Sequence, residues 1–182
     1  MHKPMPRNVV LFGCTVLLMF AGCSRSANSL NGETPPQPAQ ETASKRIASV
    51  DVVKLLVDPV EIKSGEAEEV SLRLTIQNGY HVNANPPTFP YLIPTELTIV
   101  PTAGVSAGTV SYPAPINAKF AFSEKPLAVY EGNIEIKAIL KAEKSAQAGQ
   151  HSVAATLRVQ ACDDQVCYPP GTRELEIPVT IK

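Results

Sequence analysis

Ala161-Cys162-Asp163-Asp164-Gln165-Val166-Cys167-Tyr168-Pro169-Pro170 stands between two runs of alternating apolar residues: Val153, Ala155, Leu157 and Val159 before it, Leu175, Ile177, Val179 and Ile181 after it. A period of two predicts strands, so the stretch reads as the tip of a hairpin that carries both cysteines. A loop this short lets the two sulfurs come within disulfide distance, and Pro169-Pro170 stiffens the chain just beyond the second cysteine. The pair can therefore open and close locally.

The same period recurs outward from the hairpin. Val70, Leu72, Leu74 and Ile76 alternate with Ser71, Arg73, Thr75 and Gln77, which predicts a half-buried strand with one face to water. Ile134, Ile136, Ala138 and Leu140 predict another, and Leu97 with Ile99 a shorter one within Thr95 to Val100. Val50, Val52 and Leu55 to Val57 suggest a first strand, followed by a short extended piece at Val60 to Ile62 and, much later, one at Val110 to Tyr112. Asn78-Gly79 marks a turn. Pro101 to Gly108 reads as a loop, and Glu143 to Gln150 as turn-like, with a short helix as the alternative. Tyr80 to Pro94 carries Pro86, Pro87, Pro90 and Pro94, which excludes a central strand over most of it and makes it a long loop of the functional kind. About eight short strands separated by turns give an all-β chain with an immunoglobulin-like β-sandwich.

The 182 residues, 44% of them hydrophobic, suffice for one domain with appendages. A formal net charge of -1 offers no argument for nucleic acid or an anionic membrane surface. His2, Lys3 and Arg7 precede an apolar stretch, Val9 to Phe20, that is too short to span a bilayer, and Ala21-Gly22 then precede Cys23. This resembles a bacterial lipoprotein signal over residues 1–22, with Cys23 as the lipidated first mature residue and a membrane anchor; ordinary secretion with a nearby cleavage is the alternative. Ser24 after that cysteine resembles the signal for outer-membrane sorting, the inner membrane being the other location. Residues 23–46 are rich in polar residues and proline and read as a flexible linker, leaving residues 47–182 as the folded domain.

Export decides how the cysteines are read. Cys14 leaves with the signal and Cys23 carries lipid, so Cys162 and Cys167 remain as the thiols, in a compartment where disulfides persist. They lie in a β context, without the helix N-terminus that stabilises the thiolate of a thioredoxin-like catalyst. Asp163 and Asp164 beside the first sulfur disfavour its thiolate. Such a thiol attacks slowly, but the oxidised pair remains open to a partner's activated thiolate. The alternative is a structural staple; closing so small a ring contributes roughly 2 kcal/mol against ~3 for a 15-residue loop, so a purely stabilising bridge is better placed elsewhere. A metal site of the two cysteines with His81 and His151 lacks paired histidine spacing, and no metal or other cofactor is expected. No arrangement for a hydrolase or kinase can be identified. The competing function is a lipid-anchored, non-catalytic interaction module with a structural disulfide.

Cys162-Asp163-Asp164 with Cys167-Tyr168-Pro169-Pro170, the stretch from Lys119-Phe120-Ala121-Phe122 to Glu131-Gly132, and Asn78-Gly79-Tyr80-His81-Val82-Asn83 together resemble the N-terminal periplasmic domain of the thiol:disulfide interchange protein DsbD. The resemblance covers nearly everything after about residue 47. It implies the sandwich fold and a periplasmic thiol–disulfide exchange that relays electrons between thioredoxin-like partners, a protein-disulfide reductase type of activity. It implies Cys167 as the sulfur attacked and Cys162 as the leaving and resolving thiol. It also implies a cap loop with an aromatic ring over the pair, Phe120 by motif position and Phe122 as second choice; the alternative is that both rings are core. Tyr80, His81 and Asn83 fall where the family has aromatic residues beside the cysteines, so with Asp163, Asp164 and Tyr168 they complete the expected pocket, made more polar by His81 and Asn83. A histidine beside a thiol can act as a base or stabilise a thiolate, although a lone exported histidine is more often a solvated loop residue. Better-known members are fused to a membrane electron-transporting domain and a thioredoxin-like domain; this sequence contains neither, so the reductant is expected to be a separate protein.

Overall fold

Alternation over ten residues or more lets a strand bury every second side chain and hydrate the rest, and four segments of this chain keep that pattern. The computed structural model describes residues 47–182. The expected signal segment, the lipidated Cys23 and the linker to residue 46 lie outside the described residues. Twelve strands follow in order: β1 (Val53–Val57), β2 (Val60–Ile62), β3 (Ala67–Ile76), β4 (His81–Asn83), β5 (Glu96–Ile99), β6 (Val105–Ser111), β7 (Ile116–Ala118), β8 (Leu127–Tyr130), β9 (Asn133–Ala142), β10 (Gly149–Val159), β11 (Ala161–Cys162) and β12 (Gly171–Ile181). Among the described residues there is no helix; Glu143 to Ala148 is turn-like, closed by Ala146 N–H to Glu143 O (3.0 Å), and Gly149 and Gln150 already belong to β10.

The strands form three four-stranded sheets, β1-β3-β9-β6 (sheet I), β2-β12-β10-β5 (sheet II) and β11-β4-β8-β7 (sheet III). The all-β, immunoglobulin-like expectation holds. Sheets I and II supply most of one shared core: Leu72, Leu74, Ile136 and Leu140 from the first, Ile62, Leu157, Ile177 and Ile181 from the second, all essentially without solvent exposure. The chain passes between them early, since β1 lies in sheet I and β2 pairs in parallel with β12 in sheet II.

The strand count is larger than eight because β7, β8 and β11 are too short to display a period, and Pro113, Pro115 and Pro126 break the sequence around two of them. The expected loop Pro101 to Gly108 is also corrected. From Val105 the chain already pairs with β9, and a bulge between Ala107 and Val110 shifts the register, which hides the alternation. Gly108 fits there because a Cβ would come within 3.3 Å of Ile139 Cβ.

Sheet III positions the site. The β10–β12 hairpin pairs from Gly149 with Ile181 to Val159 with Gly171, and the chain beyond Val159 leaves sheet II as β11 to pair with β4. All three residues of β4 are buried, because sheet III is covered on both faces. Val82, Tyr130 and Ala161 turn to the main core. Leu127 and Val129 turn the other way, into a second, small cluster with Phe120, backed by Phe89, Leu92 and Ala118.

Candidate functional site

Cys162 and Cys167 form a disulfide with Cα atoms 3.9 Å apart, and they also face each other across an antiparallel bridge. Cys162 is fully buried, whereas Cys167 is half-buried and Val166 beside it is 50% exposed. The loop between them is held by Asp163. Its Oδ1 accepts from the N–H groups of Gln165 and Val166 (both 2.8 Å) and its Oδ2 from the Tyr168 hydroxyl (2.5 Å). An aspartate that accepts from the backbone two and three residues on is the local turn chemistry this residue type favours. The Tyr168 hydroxyl, then the two backbone donors, hold the Asp163 carboxyl below its usual range, and the same carboxylate pushes the Tyr168 phenol up to about 12. Asp163 therefore shapes the loop as well as charging it; Asp164 is exposed.

Beneath the loop, His81 stands directly opposite Cys162 in the β4–β11 register. The expectation of a solvated loop histidine is corrected, because His81 is a β4 residue only 2% exposed, and its Nε2 is buried without a partner. Burial, the largest effect, pushes its pKa down, against the pull of Asp164 and then Asp163. Asn83, two residues along the same face, is buried as well. Its Nδ2 donates to Ile93 O (3.1 Å) and Gln160 Oε1 (3.0 Å), while its Oδ1 is unpartnered. Tyr80, just before β4, is half-buried, with its ring 6.1 Å from that of Tyr168.

The two cap candidates separate. Phe120 is 6% exposed and stacks on His81 with ring centroids 4.0 Å apart and planes at 20°. Phe122 stacks on Phe120 at 5.4 Å but is 41% exposed. Both lie in the loop between β7 and β8, which is folded by Ser123 N–H to Phe120 O (3.2 Å) and Lys119 Nζ to Glu124 O (2.7 Å). Phe122, Leu127, Val166 and Cys167 line an open cavity of about 510 Å³, closed on its other side by Phe89, Tyr91 and Leu92. Phe120 thus covers His81, the cross-strand neighbour of Cys162, and Phe122 borders the opening at Cys167.

Of the residues expected in the pocket, Phe122, Phe120 and His81 stack in turn, His81 stands opposite Cys162, and Asp163 bonds Tyr168 beside Tyr80, whereas Asp164 is exposed and Asn83 bonds to Ile93 and Gln160; other residues join them. Ser49, fully buried, spans the neck of the cysteine loop: its Oγ donates to Pro169 O (2.6 Å) and accepts from Ala161 N–H (3.0 Å). Gln160 joins Asn83 to the loop, with Nε2 donating to Tyr168 O (3.3 Å) and Oε1 accepting from Ile93 N–H (3.1 Å). Nothing local in the sequence marks either residue. Phe89 and Tyr91 were signalled only by the length and proline content of their loop, which Tyr130 pins by accepting from Asn85 N–H (3.1 Å). His151 lies at the far end of the β10–β12 hairpin, bonded to Gln147 O, so it does not meet His81.

A β-sandwich with a disulfide at one hairpin tip, beside an aromatic loop, is the class of domain that fold and site define. The chain belongs to the family of the N-terminal domain of the thiol:disulfide interchange protein DsbD, whose family model matches residues 54–178. Domains of this family are periplasmic and are associated with thiol–disulfide exchange. Among solved structures, the N-terminal periplasmic domain of ScsB from Proteus mirabilis is similar, with a TM-score of 0.51 and 15% identity over 70% of this chain. The match spans 46% of that structure, and at this identity the likeness shows the fold alone. The seventh ScaB type I cohesin from Pseudobacteroides cellulosolvens aligns over 71% of this chain and 92% of its own at 9% identity, with a TM-score of 0.43. No curated protein matches the sequence.

Proposed function

We propose that this protein relays electrons between thioredoxin-like partners in the periplasm through Cys162 and Cys167. The observation that carries the reading is the unequal exposure of one disulfide: Cys162 is fully buried, while Cys167 borders the open cavity. A partner thiolate entering from that cavity meets Cys167 Sγ, forms a mixed disulfide with it, and leaves the electron pair of the broken bond on Cys162. The donor's second thiolate then displaces Cys167 from the mixed disulfide, leaving the pair reduced; with Cys167 afterwards bonded to an acceptor, Cys162, held under the loop, attacks Cys167 and expels the reduced acceptor. Family position supports the same assignment of roles. Residues 1–22 are proposed as the lipoprotein signal, 23–46 as a tether lipidated at Cys23, and 47–182 as the exchange domain, anchored most naturally to the outer membrane.

The test is the reduction potential of the pair, measured by equilibration in thiol buffers with gel-shift readout on the full chain carrying Cys14→Ser and Cys23→Ser. A potential well above about -300 mV, with a Cys162→Ala variant trapping a thioredoxin-like protein as a mixed disulfide, is the expected result. A potential far below that, together with a disulfide inert toward such proteins, would mean a structural staple and leave the interaction-module reading.

A further inference from the structure

Each of the three sheets ends on two strands, and among the described residues five of these six edges are blunted against further pairing. β6 carries the bulge between Ala107 and Val110. β5 lies between Pro94 and Pro101, and its Leu97 N–H donates to the Tyr112 hydroxyl (3.0 Å). β2, β7 and β11 are only two or three residues long. β1 differs: it runs five residues in unbroken register with β3, contains no proline, and its Leu56 is 58% exposed. An edge of that kind is a template for another strand. We propose that β1 pairs with β1 of a second copy of this chain, antiparallel, across a twofold axis at Leu56.

The backbone fixes which groups are free to pair. Gln77 N–H donates to Val52 O (2.8 Å), and an antiparallel strand turns the N–H and C=O groups of successive residues alternately to either side. Val52 therefore faces β3, and so do Lys54 and Leu56, while Leu55 and Val57 direct their N–H and C=O to the open edge. Val53 shares that side, but its N–H is turned to Val50 O (3.4 Å). Among the described residues no strand pairs with this side of β1. An axis at Leu56 sets Leu55 opposite Val57 of the second copy, and Val57 opposite its Leu55. Each pair then exchanges both backbone hydrogen bonds, and the groups that use them are the ones the fold leaves open.

The side chains choose this register over its neighbours. Lys54, Leu56 and Asp58 are spaced by two and share the outer face of sheet I, where Asp58 Oδ1 accepts from Arg73 of β3 (2.6 Å). With the axis at Leu56 the two leucines meet, and each Lys54 stands opposite Asp58 of the other copy, a carboxylate already held in place by Arg73. An axis at Leu55 sets each Lys54 against a leucine, and an axis at Lys54 sets the two lysines against each other. An axis at Val57 puts Pro59, which has no N–H, opposite the edge-facing Leu55. The charges that would repel in other registers attract in this one. No residue of β1 borders the cavity at Cys167, so the pairing stands apart from the exchange reading.

The experiment is sedimentation equilibrium of the full chain with Cys14→Ser and Cys23→Ser at concentrations up to about 1 mM, joined to oxidative trapping of added cysteines with peptide mapping of the products. One short strand from each copy makes a seam below the size of a standard interface, so a readily reversible monomer–dimer equilibrium is expected. Lys54→Glu sets like charges opposite Asp58 at two symmetric places and is expected to raise Kd roughly tenfold. Leu56→Asp sets two carboxylates on the axis and should do at least as much; because Leu56 is exposed, its urea midpoint should match that of the parent, which separates lost pairing from lost fold. Leu56→Cys should be trapped as a symmetric disulfide, whereas Lys54→Cys, offset from its counterpart along the seam, and Thr98→Cys, exposed on β5, should not. A chain that stays monomeric throughout overturns the pairing and leaves the edge to a strand of another protein. Association that Leu56→Asp and Lys54→Glu both leave unchanged, as the apolar stretch Val9 to Phe20 would produce, overturns it as well. Trapping of Lys54→Cys in preference to Leu56→Cys overturns the register.

Discussion

The two apolar clusters of this domain are built by opposite means. The main core is filled from long strands: β3, β9, β10 and β12 each deliver a row of aliphatic side chains, and sheets I and II close over them. The small cluster over sheet III has Leu127 and Val129 of β8 and Ala118 of β7 from strands, and its cover is a loop ring, Phe120, with Phe89 and Leu92 from a second loop. Side chains between two sheets leave only when the fold opens. A ring on a loop can leave by itself, because few backbone hydrogen bonds cross to it. The outer face of sheet III is where His81 and Cys162 lie, so the site sits under the part of the molecule that moves at least cost.

The comparison breaks most sharply in the main core. Leu72 is fully buried in the middle of β3, paired with Ile136. Leu72→Ala is expected to cost about 2–5 kcal/mol, through lost transfer energy and a cavity between sheets that cannot collapse. Urea unfolding should show a lower midpoint with an unchanged slope, and the thiolate-normalised rate of disulfide reduction should stay as it is in the folded protein. A large change in that rate with little loss of stability would mean that the two clusters are not independent.

The neck of the cysteine loop comes next. Ser49 Oγ joins Ala161 N–H to Pro169 O, and both Ser49 and Ala161 are fully buried. Ser49→Ala leaves the Ala161 donor without its partner and is expected to cost about 1–3 kcal/mol in the same assay. The exchange of the Ala161 amide with solvent, followed by NMR, should accelerate more than that of the main-core amides of β3. Uniform acceleration would place the clasp inside the main cooperative unit.

At the cavity mouth the effects on stability vanish. Phe122 is 41% exposed and borders the opening beside Cys167, so Phe122→Ala is expected to change stability by no more than about 0.5 kcal/mol. Reduction by dithiothreitol should be unaltered, while reduction by a thioredoxin-like protein should slow, since the apolar wall serves a macromolecular partner and a small thiol needs none. Equal slowing of both would assign the ring to the disulfide itself.

Legibility in the sequence follows the same division. The rows Leu72 to Ile76, Ile134 to Leu140 and the two that flank the cysteines announce themselves because each spans several periods of two. β11 is two residues long and β7 three, and no period can show in so few. The cysteine hairpin was legible because its two strands and its tip are contiguous. The burial of His81 was not, because it depends on pairing with Cys162 far along the chain and on a ring from a third segment. Ser49 and Gln160 are hidden for that reason too: Ser49 acts on residues 112 and 120 positions away. What is local in the chain is written locally, and the cover and the clasp of this site are not local.

The smallest effect concerns the Asp163–Tyr168 pair that shapes the tip. Asp163 titrates below the ordinary 3.8, so the stability its carboxylate contributes is complete above that value and is lost as pH falls through its lowered folded pKa. Tyr168 is raised from 10.0 to about 12, so its contribution is complete below 10.0 and is lost as pH rises through about 12. Between those limits the tether is intact and the loop around Cys167 should be insensitive to pH. Asp163→Asn removes the charge-assisted partner, so the Tyr168 phenol should return toward 10.0, read as the difference in tyrosinate absorbance between chains with and without Tyr168→Phe. A phenol that stays near 12 without the carboxylate would mean that burial, and not Asp163, holds it there, and the tip of the hairpin would then belong with the rigid part of the molecule and not with its cover.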